Sequence, residues 1–173
     1  MAEGVYRIRT YELHKDRFTM HGRRMEYDYV VDRDVAVVLP VFDNGKILME
    51  HNYRRTLGKW IYELPGGHRE PGETMAHAAA RELEEETGFK PGRLSLLFDS
   101  FEAPGSGRHR TCLYLAKGIK KGKADLDPDE QIGLRTMTLG EAVKFVKKAK
   151  NTDVKTIAGI LLYASMRSGP GRR

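Results

Sequence analysis

Three carboxylates, Glu82, Glu85 and Glu86, fall in one run bounded by Arg81 and Gly88. On a helix each residue advances by about 100°, so the three occupy roughly a third of the circumference and face the same way. Like charges held that close raise one another's pKa and weaken a helix unless something positive offsets them. Arg81 can pair with Glu85, one turn on, but that leaves two carboxylates unneutralised. A divalent cation resolves the conflict. All-oxygen donors suit Mg2+ or Mn2+, and Mg2+ uses few carboxylates, keeps waters and completes its shell with substrate phosphates. The chemistry on offer is metal-assisted work on a phosphate compound, although the glutamate run taken alone reads first as a solvated helix face.

The elements that must position these residues follow from periodicity and breakers. A helix from about Glu73 to Thr87 is rich in Ala, Leu and Glu and stops at Gly88; Leu83, Ala76 and Ala80 form its apolar stripe and Glu84 points away from the acidic trio. Glu63-Leu-Pro-Gly-Gly67 precedes it, and its Pro and paired Gly break both strand and helix. Polar and apolar residues alternate from Val5 to Val31, with His21-Gly22 as a turn, which predicts an N-terminal antiparallel unit. Val35 to Leu39 is a buried strand, and the Asp43-Asn44-Gly45 turn makes Lys46 to Tyr53 its hairpin partner. Further strands are expected at Leu94 to Phe101, His109 to Ala116 and Ile132 to Met137. Thr138 and Glu141 have capping-box spacing for a helix to about Ala149. A last helix, about Asp153 to Met166, carries Ile157, Ile160, Leu161 and Ala164 at helical spacing. The fold class is α+β with mixed sheets.

The chain has 173 residues with 30 Lys and Arg against 24 Asp and Glu, a formal charge of +6 that favours polyanionic ligands. Its length suits one compact chain, expected as an N-terminal β unit (1–33), a main domain (34–167) and a flexible tail (168–173). Cys112 is the single cysteine, which excludes an internal disulfide framework or a cysteine-built zinc cluster and points to a reducing cytoplasm. No apolar run approaches the ~20 residues of a membrane-spanning helix, so no membrane partner is expected. The basic runs Lys117 to Lys123 and Lys144 to Lys150 lack the interleaved aromatics that stack bases, so no nucleic acid is expected. His51, His68 and His77 do not form a zinc spacing and read as surface or loop residues.

The wider pattern is more specific than the acidic run. Gly67, Glu73, Arg81-Glu82-Leu83, Glu85-Glu86 and Gly88-Phe89 fix seven identities and two apolar positions, a match expected by chance in roughly one in a million chains of this size. This stretch resembles the box of the Nudix hydrolases, which cleave nucleoside diphosphates linked to another moiety with metal-activated water. The resemblance implies an α/β/α sandwich with a mixed sheet, and Glu82, Glu85, Glu86 and the Gly66 carbonyl as metal ligands. It also implies that Arg81 orients a ligating glutamate, that Glu73 supports the loop or an outer-sphere water, and that Gly67 permits the close turn. A polyanionic diphosphate attacked by water needs charge neutralisation, a deprotonated nucleophile and in-line positioning, all of which metal ions supply.

Outside the box, Asn52-Tyr53-Arg54-Arg55, Trp60 to Gly67 and Ala103-Pro104-Gly105 resemble the ADP-ribose pyrophosphatase subgroup, extending the likeness over about residues 35 to 165. That resemblance implies hydrolysis of ADP-ribose to AMP and ribose 5-phosphate. It also implies a homodimer built by the N-terminal β unit, whose protomers share the adenosine pocket. Within it Arg54 is the leading phosphate-binding candidate and Arg55 a weaker one, Trp60 a candidate for stacking on adenine, and Pro104 part of the loop shaping the substrate site. Glu63 reads as a structural partner for the loop. Glu130, in the acidic segment Asp125 to Gln131, is the candidate general base. The chain departs from the subgroup at Leu64-Pro65-Gly66-Gly67, where Leu-Pro-Ala-Gly is usual, and at Gly105 to His109, where an acidic residue is common. Arg108 and His109 there suit a terminal phosphate, so GDP-mannose, NADH or dinucleoside polyphosphates remain alternative substrates. A non-catalytic nucleotide sensor is the alternative of a different class.

Overall fold

The computed structural model describes residues 6–8, 10–148 and 150–168. Strands β1 (Tyr6–Ile8), β2 (Tyr11–Met20) and β3 (Arg23–Val31) are followed by β4 (Val35–Pro40), β5 (Ile47–Arg54), β6 (Lys59–Glu63) and β7 (Gly66–His68). Helix α1 (Met75–Thr87) comes next, then β8 (Phe89–Lys90), β9 (Arg93–Phe101), β10 (Gly107–Arg108), β11 (Arg110–Lys117), β12 (Lys120–Lys121) and β13 (Ile132–Met137). Helices α2 (Leu139–Val146) and α3 (Val154–Ser168) close the chain.

The N-terminal hairpin forms as its alternation predicts: β2 pairs antiparallel with β3 across His21 and Gly22, both with positive φ, as a tight primed turn requires. The second predicted hairpin does not form. The Asp43-Asn44-Gly45 turn is made, but β4 and β5 share only the bridge Val41 to Ile47 and then part into different sheets. Both edges of β4 are already taken, by β11 in parallel and β7 antiparallel, and those of β5 by β13 and β6. The two main sheets therefore run β7-β4-β11-β9 and β13-β5-β6.

Alternation along β4 builds two cores. Ala36 and Val38 meet Ala78, Ala79 and Leu83 of α1, while Val37 and Leu39 join Ile47, Met49, Leu113 and Ile160 beneath α2 and α3. The buried stripe of α1 is thus Ala78, Ala79 and Leu83, one step round from the predicted Ala76 and Ala80. Thr74, not Glu73, opens the helix, because its hydroxyl accepts from the His77 N–H. Gly88 closes it in the left-handed conformation, φ 72°, with its N–H on Glu84 O. The predicted capping box at Thr138 and Glu141 is present, but α2 ends at Val146 rather than near Ala149. Helix α3 runs two residues past the predicted Met166; its buried face is Thr156, Gly159, Ile160 and Tyr163, and Leu161 is exposed. Of the expected tail, residues 169–173 lie outside the described residues.

Candidate active site

The segment Glu63 to Gly67, expected to be irregular, contributes a short strand, because Gly66 to His68 pair antiparallel with Val35 to Val37. The missing side chains allow it. A Cβ on Gly66 would lie 2.8 Å from the Cα of Val37, and one on Gly67 would lie 2.6 Å from the Glu82 carboxylate. The loop is thereby pressed against the acidic face of α1, and the Gly66 N–H donates to Glu86 Oε2 at 2.7 Å.

Arg81 organises that face more fully than its sequence spacing suggests. Its Nη1 lies 2.9 Å from Glu82 and 2.8 Å from Glu85, Nε donates to Glu73 at 2.9 Å, and Nη2 donates to the His68 carbonyl at 3.0 Å. Arg81 therefore pairs with two of the three box glutamates, not one, and among the described residues Glu86 has no ion pair within 4 Å. Glu73, whose carboxylate also accepts from the Glu70 N–H at 3.0 Å, ties the loop to the helix, and the Arg81 hydrogen bond holds it down to about 2.

Glu86 is not isolated. Strand β5 places Glu50, Asn52 and Arg54 on the face toward the loop, since alternate residues of a strand share a face. Glu50 is almost fully buried and its Oε1 has no hydrogen-bond partner. Burial pushes the Glu50 carboxyl up to about 8. Burial, joined by the neighbouring charges of Glu50 and Glu82, holds Glu86 well above the usual carboxylate range. Burial likewise lifts Glu82 to about 7 against the opposing charge of Arg81. Carboxylates so arranged bind protons because they have too little positive charge to face. A hard cation would serve instead, and the oxygen-only donors around Gly66, Glu82, Glu85 and Glu86 fit Mg2+ or Mn2+ chemically. Among the described residues no three acidic, imidazole or thiolate groups already converge at coordination distance. Arg81 Nη1 fills the space between Glu82 and Glu85 as the local positive charge.

Arg81, Glu82, Glu85 and Glu86 line a cavity of about 830 Å3, together with Gly66, Gly67, Arg54, Glu63 and Glu130, with Glu50 buried behind its wall. Among the described residues the lining carries eleven carboxylates against four cationic side chains, Arg33, Arg54, Arg81 and Lys155. Arg54 Nε donates to Glu63 Oε2 at 2.6 Å, so Glu63 partners the phosphate-binding candidate rather than the loop. Glu130 accepts from the Asp127 N–H at 3.1 Å and is lifted by burial.

Four sequence candidates fall elsewhere. Arg55 is exposed in the turn after β5. Trp60 pairs across from Tyr53 and packs on His51, so it lies on the face of β5 and β6 opposite Glu50 and Arg54. Pro104 and Arg108 are exposed and outside the cavity lining, although Glu102 and His109, which flank that loop, belong to it. Sequence reasoning missed Glu50, whose signal was a lone acid continuing the apolar run Ile47-Leu48-Met49, and it missed Lys155, Asp153 and Glu102. His68, read as a surface or loop residue, is in the cavity wall 3.2 Å from Asp32.

Residues 32–159 match the NUDIX domain model. The chain is 33% identical over 162 residues to the methanol dehydrogenase activator of Bacillus methanolicus, spanning 92% of this chain and 88% of that one. It is 33% identical over 142 residues to the ADP-ribose pyrophosphatase of Bacillus subtilis, spanning 81% and 77%. It is 32% identical over 176 residues to that of Mycobacterium tuberculosis, spanning 97% and 83%. In fold it superposes on the crystal structure of an ADP compounds hydrolase with a TM-score of 0.85 at 20% identity, over 100% of this chain and 96% of the other. Helices on both sides of the sheets and the glutamate box beside an acidic cavity agree with these likenesses, and the chain belongs to the Nudix hydrolase family.

Proposed function

We propose that this chain is a Mg2+-dependent pyrophosphatase that hydrolyses the diphosphate of ADP-ribose to AMP and ribose 5-phosphate. The observation that carries the reading is the charge of the cavity. Among the described residues eleven carboxylates face four cations, a lining that would repel a diphosphate unless divalent cations entered with it. The names of two relatives, both ADP-ribose pyrophosphatases, support the substrate. Gly66, Glu82, Glu85 and Glu86 would hold the metal, which supplies charge neutralisation and an activated water when bound.

The chain's own residues divide the remaining work. Arg54, held at the cavity wall by Glu63, offers a planar guanidinium suited to bidentate phosphate binding. Arg81 fixes the directions of Glu82 and Glu85, and Glu73 fixes Arg81. Glu130, whose carboxyl pKa is raised by burial and which is kept in place by the Asp127 N–H, accepts the proton of the attacking water. The N-terminal hairpin exposes Phe18, Met25 and Tyr27 on one face and Tyr11 and Leu13 on the other, apolar side chains that support a homodimer built by residues 1–33, with 34–167 as the hydrolase domain. A single cysteine supports a reducing, cytoplasmic setting, and among the described residues no helix is long and apolar enough to cross a membrane.

Product analysis tests the substrate. Pure protein with Mg2+ and a panel of ADP-ribose, GDP-mannose, NADH and diadenosine polyphosphates is expected to release AMP rapidly from ADP-ribose, and a chelator is expected to stop it. A faster reaction with another member of the panel would overturn the substrate, and no turnover of any would overturn the enzyme.

A further inference from the structure

Of the four cations that line the cavity among the described residues, three have a ready account. Arg81 is bonded to Glu73, Glu82 and Glu85, Arg54 to Glu63, and Arg33 is exposed at the rim. Lys155 differs. Its side chain is 28% exposed, and its ammonium lies 3.0 Å from Asp153 Oδ2 and 3.7 Å from Glu102 Oε1. An ammonium carries three donors, and the second distance is too long for a hydrogen bond. Held closely by one carboxylate and partly open to the cavity it lines, this ammonium has donors it can turn toward an anion there.

The fold puts this lysine there by specific tethers. The Tyr62 N–H donates to the Asn151 carbonyl at 2.8 Å, and Tyr62 and Thr152 form a parallel bridge. The Leu64 N–H donates to the buried Thr156 hydroxyl at 2.9 Å, which fastens the first turn of α3 to β6 and the loop. Leu64 is two residues from Gly66, whose N–H holds Glu86. One short turn therefore contacts the acidic face of α1 at one end and, at the other, the first turn of α3 that bears Lys155. Burial works against the ammonium's charge, and Asp153 and Glu102 more than offset it, so the group stays cationic.

We propose that Lys155 is a phosphate-binding residue whose ammonium leaves Glu102 for a non-bridging oxygen of the substrate's diphosphate. With Arg54 it supplies the protein's own positive charge to the anion. Asp153, still bonded to the Thr156 N–H at 2.9 Å, holds the turn in place while Lys155 changes partner. The assignment rests on the reading of the cavity as a diphosphate site.

The test uses the full chain with Mg2+ and two probes, inorganic pyrophosphate binding by calorimetry and ADP-ribose steady-state kinetics. K155M is expected to raise the pyrophosphate Kd and the ADP-ribose KM by about 10- to 100-fold, the loss typical of one charged hydrogen bond, with kcat within a few-fold of wild type. K155R is expected to recover most of both. A merely structural ion pair would move Tm and leave Kd and KM where they were, and that result overturns the proposal. Should K155M fail to fold, K155Q and K155R carry the comparison, and equal affinities of those two overturn it. Wild-type protein that binds Mg2+-pyrophosphate but leaves ADP-ribose intact refutes the substrate and not the lysine, whose role then stands or falls on the K155M calorimetry.

Discussion

Replacing Glu50 by Gln should change how stability depends on pH. In the folded protein burial raises this carboxyl from 4.5 to about 8, so it folds as the protonated acid. The sign follows from linkage. A group whose folded pKa lies above its unfolded value contributes its stability fully below pH 4.5, and that contribution is lost as pH rises toward 8. The span corresponds to about 5 kcal/mol, a ceiling that Glu50 shares with adjacent Glu86. In a chelator, wild-type unfolding free energy is expected to fall by about 2–5 kcal/mol between pH 5 and pH 8.5, beyond any general acid or base effect. Glu50→Gln keeps the shape and removes the ionisation. At pH 8.5 it should be more stable than wild type by about 2–4 kcal/mol, and at pH 5 the two should agree within about 1 kcal/mol. Saturating Mg2+ should abolish the wild-type fall, since a cation bound among these carboxylates stabilises their ionised form in the folded state alone. Urea denaturation at the two pH values, with and without metal, reads all four quantities. A Glu50→Gln variant with the wild-type alkaline slope would refute the assignment of that slope to this buried acid.

Other consequences are as direct. Glu86→Gln should keep the fold, because a neutral amide suits so buried a position, and lower turnover by about a thousandfold or more, as loss of a metal ligand does; near-normal kcat would sink the ligand role. Gly67→Ala places a Cβ 2.6 Å from the Glu82 carboxylate, the far end of a flexible side chain. Circular-dichroism melts should therefore show a small loss, about 1 kcal/mol, while ADP-ribose turnover drops by about 10-fold or more because Glu82 is pushed aside; a Tm collapse with unaltered specific activity would contradict this. Glu73 is held down to about 2 by Arg81, so its stabilisation is present above pH 4.5 and lost as pH falls toward 2. Glu73→Gln should accordingly cost about 1–3 kcal/mol at pH 7 and flatten the acid limb of the stability profile; an unchanged acid limb would show the pair to be inconsequential.

What could be read from the chain alone was whatever rests on local periodicity or on a contiguous motif. The α1 box, the N-terminal hairpin, the capping box at Thr138 and the strand Ile132–Met137 each carry their signal within a few residues. The failures share one cause. The Asp43-Asn44-Gly45 turn is a genuine turn, but pairing beyond it is decided by which edges are free, and β11, some seventy residues on, claims β4. Trp60 and Arg54 look equivalent in sequence as neighbours of the loop, yet the two-residue period of β5 and β6 sends Arg54 into the cavity and Trp60 to the opposite face.

Glu50 and Lys155 escaped for a related reason. Glu50 continues an apolar strand as a single acid, and its meaning depends on Glu86, which arrives from another element. Lys155 begins an ordinary amphipathic helix, and nothing in its neighbours distinguishes it from the solvent-facing lysines of Lys144 to Lys150. Only the tether from Leu64 to Thr156 turns that first helical turn toward the cavity. A motif thus marks where a cation can be held. Which anion the cavity then accepts is decided by side chains that the fold gathers from β5, the segment after β9, the acidic loop and α3, and in a cavity so rich in carboxylates each added positive charge weighs heavily on that choice.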